Sequence, residues 1–173
     1  RNRPIVKIAS QNVTETGDNI TWSAVYLMKG NDTEGSVSLN IVFFDLAGNP
    51  GSAVDNTTNG SAVRFDKTVP TLPSVTIASN NTLYTTMAKT GDNITLSITS
   101  SEAIQTPTIM IAGQNATETG SGTSWSGAYT MASNSEGSVS LRVDFRDLAG
   151  NAGTRVTSTT NSSAVQFDRT SPT

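Results

Sequence analysis

Ser138-Val139-Ser140-Leu141-Arg142-Val143-Asp144-Phe145-Arg146 sets an apolar side chain at every second position and a polar or charged one between. Successive side chains of a β-strand point to opposite faces, whereas a helix returns to one face every 3.6 residues, so the stretch reads as a strand with one dry and one wet face. It runs directly into Asp147-Leu148-Ala149-Gly150-Asn151. That is turn chemistry: glycine takes positive φ without a Cβ penalty, and Asp and Asn bond nearby backbone amides. The same period-two alternation links Val75/Ile77, Ile94/Leu96/Ile98, Ile109/Ile111, Trp125/Gly127/Tyr129/Met131 and Val165/Phe167. No segment sustains a helical period. Six or seven short strands in about 100 residues predict a two-sheet sandwich.

The pattern occurs twice. Ser36-Val37-Ser38-Leu39, Asp45-Leu46-Ala47-Gly48-Asn49 and Phe65-Asp66-Lys67-Thr68 return 102 residues later, and 23 of 36 positions are identical between residues 36–71 and 138–173. Upstream the offset becomes 103, pairing Trp22-Ser23 with Trp125-Ser126, Ile8-Ala9 with Ile111-Ala112 and Pro4 with Pro107, so a turn between gained or lost a residue. Residues 72–106 have no counterpart. The sequence therefore predicts an incomplete domain over 1–69 that lacks its first strands, a Pro-containing linker at 70–73 and a complete domain over 74–173. The prolines of Thr68-Val69-Pro70-Thr71-Leu72-Pro73 restrict φ and bias this stretch to an extended form, holding the two domains end to end. The opening Arg1-Asn2-Arg3-Pro4 is no signal sequence and reads as the start of an excerpt; the other reading is that another subunit donates the missing strands.

Composition narrows the function. Charged residues are only 14% and the net charge is −3 without runs, which leaves no electrostatic footprint for nucleic acid or anionic lipid. Cys and His are both absent, so disulfides, the commonest general base and the commonest zinc ligand are missing. No stretch approaches the roughly 18 apolar residues of a membrane span. Ser is abundant, but there is neither an activating base nor a Gly-x-Ser-x-Gly elbow. Glu15/Glu118 and Glu34/Glu136 are the repeated glutamates; each lies among turn residues without an acid–base partner, and none is assigned chemistry. The chain reads as non-catalytic.

Thr90-Gly91-Asp92-Asn93-Ile94-Thr95-Leu96, Ser101-Glu102-Ala103-Ile104, Asp147-Leu148-Ala149-Gly150-Asn151 and the closing Phe167-Asp168-Arg169-Thr170-Ser171-Pro172-Thr173 together resemble the bacterial immunoglobulin-like tandem repeats of large surface proteins and adhesins. The resemblance covers the whole chain. It implies all-β, immunoglobulin-like β-sandwiches of Greek-key topology set end to end, on an extracellular, cell-surface protein. It also implies stalk or spacer modules, some with calcium at domain junctions, whose partners are neighbouring repeats of the same chain.

Three groups of residues are candidate sites. In a seven-strand Greek key, Glu102 and the Asp147-to-Asn151 loop lie at the pole facing the previous domain, where Asp66 ends; with Asn151 they offer four oxygen-bearing side chains to a hard cation such as Ca²⁺, though no cofactor is required. The alternative is that Asp147 and Asn151 only close a turn. Asn-x-Ser/Thr sequons occur at Asn12, Asn19, Asn31, Asn56, Asn59, Asn80, Asn93, Asn115 and Asn161, nine of the 15 Asn. In a eukaryotic secreted chain these are glycan acceptors; otherwise they follow from Asn-rich turns beside Thr-rich strands. Val42 and Phe44 stand where the second copy has Asp144 and Arg146, on the outward face, and form a contact patch for a neighbouring chain or self-assembly, or are merely tolerated there. Trp22, Trp125, Tyr26 and Tyr129 fall on the inward face and read as core, not as sugar platforms. The leading expectation is a structural spacer; its rivals are a module binding a partner or glycan, and a glycosylated surface-filament subunit.

Overall fold

The computed structural model describes residues 2–172, and the chain is all-β, with no helix among the described residues. It divides into two compact units, Arg1–Lys67 and Thr68–Thr173.

The second unit contains β8 (Ser74–Ser79), β9 (Met87–Ala88), β10 (Asn93–Thr99), β11 (Thr108–Ile111), β12 (Gln114–Asn115), β13 (Thr117–Ser121), β14 (Ser124–Thr130), β15 (Gly137–Ser138), β16 (Leu141–Asp144) and β17 (Gln166–Phe167). One antiparallel sheet has the order β13-β14-β10-β8, and a second has the order β12-β11-β16, with Val143 of β16 bridged onward to Val156. In a third small sheet, β15-β17-β9, the pairing of β17 with β9 is parallel. Val75, Ile94, Leu96 and Ile98 from the first sheet share one core with Ile109, Ile111, Val143 and Phe145 from the second and with Val165 and Phe167. This is the sandwich that the alternation predicts, because every inward residue of a strand finds the inward residues of the facing sheet. Ile94, Leu96, Ile109 and Ile111 are fully buried, and each such side chain contributes roughly 1.5–3 kcal/mol. Trp125 and Tyr129 pack half-buried against this core.

The first unit contains β1 (Ile5–Ile8), β2 (Gln11–Asn12), β3 (Glu15–Asp18), β4 (Thr21–Ala24), β5 (Gly35–Ser36), β6 (Leu39–Val42) and β7 (Arg64–Phe65). They pair as β2-β1-β6, β3-β4 and β5-β7, which repeats β12-β11-β16, β13-β14 and β15-β17. Strands corresponding to β8, β9 and β10 are missing here. Among the unit's described residues only Pro4 and Val6 are buried apolar side chains, and Trp22, Ala24, Tyr26 and Met28 stay half-buried.

Local geometry repeats as well. The hairpins β1–β2 and β11–β12 turn through two residues of positive φ, Ala9 (52°) and Ser10 (63°) in one and Ala112 (52°) and Gly113 (76°) in the other, which is the mirror-image turn suited to strand twist. The inserted residue falls in the turn after Met28. There the Asp32 carboxylate accepts the Tyr26 hydroxyl at 3.0 Å and the Lys29 amide at 2.6 Å, and one residue earlier in the other copy Asn134 accepts the Tyr129 hydroxyl and the Ala132 amide.

Residues 70–73, expected as a linker, are instead built into the second unit. Leu72 joins its core, Pro70 is fully buried, and Thr71 exchanges two hydrogen bonds of 2.9 Å with Ser101. The prolines restrict the backbone, and Leu72 between them still finds a place in the core.

Candidate cation, glycan and contact sites

Asp147 follows Phe145 at the end of the β16 segment, where alternation directs its side chain inward, and it is 1% exposed. Its Oδ1 accepts the amides of Gly150 at 2.6 Å and Asn151 at 2.8 Å, and its Oδ2 accepts Asn151 Nδ2 at 2.7 Å. Gly150, at φ 100°, makes the reversal that brings these donors round. Burial works against ionisation of Asp147, but the Asn151 side chain and the Asn151 and Gly150 amides outweigh it and hold the carboxyl below its ordinary value. Asp45 builds the same turn, accepting the Asn49 amide and Asn49 Nδ2, both at 2.8 Å, on an exposed surface.

Of the four residues expected to take a cation, Asp66 is a half-buried residue of the first unit, directly after β7, and the other three belong to the second. Within that unit the loop after β10 does lie against the Asp147 turn. Ile104 bridges to Asp147, Gln105 Nε2 donates to the Asp147 carbonyl at 2.9 Å, and a Glu102 carboxylate oxygen comes within 4.8 Å of one from Asp147. The geometry of Asp147 and Asn151 is that of a turn closed by hydrogen bonds within itself.

Eight of the nine sequon asparagines are exposed, and Asn93 is half-buried with its Oδ1 shut away from any partner. Several have backbone duties. Asn59 and Asn161 accept the amides of Ser61 and Ser163 at 3.0 Å, making equivalent Asx turns, and Asn80 accepts the Asn93 amide at 2.7 Å.

Val42 and Phe44 are half-buried. Val42 lies opposite Ile5 across the β1–β6 pair, and Ile5 is 51% exposed. The second unit has Thr108 opposite Asp144 in that place. Asp144 there accepts Arg142 Nε at 2.8 Å and Arg155 Nε at 2.7 Å, and Arg155, followed by Arg142, holds its carboxyl below the ordinary value against the effect of burial. One unit thus bears a charged network on this face and the other an apolar pair. Ile5, which aligns with Thr108, adds a third apolar side chain beside Val42 and Phe44 that the sequence reading does not include.

The repeated glutamates have a structural use that spacing alone does not reveal. Glu15 accepts the Val6 amide at 2.8 Å and Arg3 Nε at 2.9 Å, and Glu118 accepts the Ile109 amide at 3.1 Å, so each pins the strand leading from the proline. Glu34 accepts the Lys67 amide at 2.6 Å, and Glu136 accepts the Arg169 amide at 3.0 Å and Thr170 Oγ1 at 2.8 Å, fixing the exit of each repeat. No match to the chain is found among protein-family models, curated proteins or solved structures.

Proposed function

We propose that the chain is a non-catalytic spacer segment of a repetitive extracellular surface protein or filament, built from immunoglobulin-like repeats. The observation that carries this reading is that the polar residues the two copies share serve their own backbone. Glu15/Glu118, Glu34/Glu136, Asp45/Asp147 and Asn59/Asn161 each accept a backbone amide of the same repeat. Selection of this kind preserves shape. The order β13-β14-β10-β8 packed against β12-β11-β16 supports the immunoglobulin-like assignment, since that sandwich places four strands against three.

Force spectroscopy on the chain held by its ends tests the spacer. The second unit should resist and then release in one event of about 35 nm, roughly 100 residues at ~3.5 Å each. Gradual lengthening without a discrete event would sink the reading. Calcium enters the proposal as a ligand that would have to compete with the Gly150 and Asn151 donors for the Asp147 carboxylate, one oxygen of which lies within 4.8 Å of a Glu102 oxygen. Calorimetric titration with Ca²⁺ that gives no heat and no change in melting temperature would remove the ion and leave the spacer standing.

A further inference from the structure

Thr57 to Ser61 in the first unit and Thr159 to Ser163 in the second build the same turn. In each the threonine hydroxyl donates to the serine carbonyl, Thr57 Oγ1 to Ser61 at 2.6 Å and Thr159 Oγ1 to Ser163 at 2.8 Å. In each the asparagine Oδ1 accepts the serine amide at 3.0 Å. The residue between them lies in the left-handed region both times, Gly60 at φ 71° and Ser162 at φ 60°. Asn59 and Asn161 are exposed, and Asn161 is so even though its turn is tied to β8 through the Thr160 and Ser163 hydroxyls. The strands that the first unit lacks are therefore not what exposes Asn59.

What differs is the following residue. Of the 15 Asn, Asn59 alone precedes a glycine. A backbone nitrogen that attacks the carboxamide of the asparagine before it must close a five-membered ring, and glycine brings no Cβ to obstruct the closure. Two contacts leave Asn59 open to this attack. The Gly60 amide, the nucleophile, is held only by a long bond of 3.5 Å to the Thr57 carbonyl. The Ser61 amide on Oδ1 draws electron density from Cγ and curls the side chain back along the Asn59–Gly60 peptide.

We propose that Asn59 is a self-modification site, at which the Gly60 nitrogen displaces ammonia from the Asn59 side chain and water opens the resulting succinimide to aspartate and isoaspartate. The bond from Gly60 N to Asn59 Cγ forms and the Cγ–Nδ2 bond breaks. The proton of Gly60 N passes to solvent, and the leaving Nδ2 takes one up and departs as ammonia. Water then adds to either ring carbonyl. Opening at Cγ restores the ordinary backbone with an aspartate, whereas opening at the Asn59 backbone carbonyl leaves the chain running through Cβ and Cγ. Water is consumed, ammonia is released, nothing is oxidised or reduced, and the surface gains a negative charge. Asn161, in the matched turn, is the slow counterpart.

The test holds the 173-residue chain, made in bacteria so that Nδ2 carries no glycan, in warm neutral buffer and follows both turns by peptide mass mapping with isoaspartate-resolving fragmentation. Asn59 should convert at least about tenfold faster than Asn161, a difference of ~1.4 kcal/mol in barrier, and should give both products. Gly60→Ser should slow Asn59 to the rate of Asn161, and Ser162→Gly should raise Asn161 to the rate of Asn59. Neither exchange threatens folding: a Cβ on Gly60 meets nothing within 4 Å, and glycine at 162 relieves a positive φ. Equal rates at the two asparagines in the unaltered chain would overturn the proposal. So would rates that do not follow the glycine in either exchange, or aspartate formed without isoaspartate, which would mean direct hydrolysis of the side chain with no ring.

Discussion

Removing the Asp147 carboxylate by Asp147→Ala strips three N–H donors of their acceptor at a site that is 1% exposed. The Asn151 side chain is only half-buried and can turn toward water, so it adds little. The Gly150 amide keeps a long bond of 3.3 Å to the Asp147 carbonyl, and the Asn151 amide loses the Asp147 Oδ1 acceptor at 2.8 Å. At about 1–3 kcal/mol for each buried group left unsatisfied, the expected loss is about 2–4 kcal/mol. For a unit of this size that lowers the melting temperature by roughly 10–20 °C. Each unit has one tryptophan, so thermal unfolding followed by Trp125 fluorescence in a Trp22→Phe background reports the second unit alone. Asp147→Asn keeps an oxygen for both amides but gives up the charge assistance and sets an NH2 donor against Asn151 Nδ2, and it should cost about 1–2 kcal/mol. Asp45→Ala, in the same turn on an exposed surface, should lower the first unit's transition by less. A fall under about 3 °C for Asp147→Ala would refute the idea that this carboxylate organises the turn.

A Cβ on Gly127 would meet Ile109 Cγ2 at 2.6 Å and Ala116 Cβ at 3.0 Å. Gly127→Ala should destabilise the second unit by about 1–3 kcal/mol in denaturant melts, and Ile109→Val should recover little of that loss because valine keeps the Cγ2 methyl; an unchanged midpoint for Gly127→Ala would contradict this packing. Ser10→Gly, which copies Gly113, should stabilise the first unit by about 1 kcal/mol by relieving φ 63° on a residue with a Cβ, and a destabilisation would show the turn to be held by something else. Asp92, held down by the Lys89 amide, Asp144, held down by Arg155, and Asp147 all bind protons more weakly folded than unfolded. Their stabilisation is complete above the unfolded carboxylate range and is lost as pH falls through the lower folded values, so with no histidine the melting temperature should be flat between about pH 5.5 and 8 and drop below about pH 4; a transition near pH 6.5 would contradict it.

The core of the second unit was legible because strands buried on one face write their burial at period two. From Val75 to Phe167 the inward residues named by alternation are those that close the core, with Trp125, Tyr129 and Leu141 only partly covered. The boundary was less legible, because proline signals restricted φ but not where an adjacent leucine goes, and Leu72 decided the matter by joining a core. The duties of Glu118 and Glu136 were hidden for a different reason. Their partners are backbone amides 9 and 33 residues away, and an amide leaves no mark in the sequence. Ile5 was legible through its alignment with Thr108, a polar residue at the same outward place opposite Asp144.

The parallel pairing of β9 with β17 joins a strand near the start of the second unit to one near its end. Tension applied at the two ends therefore runs along these strands and loads their hydrogen bonds in shear, so they must rupture together instead of unzipping singly. Such a clasp would act as a mechanical fuse, keeping the sandwich shut under loads that would peel an antiparallel hairpin apart.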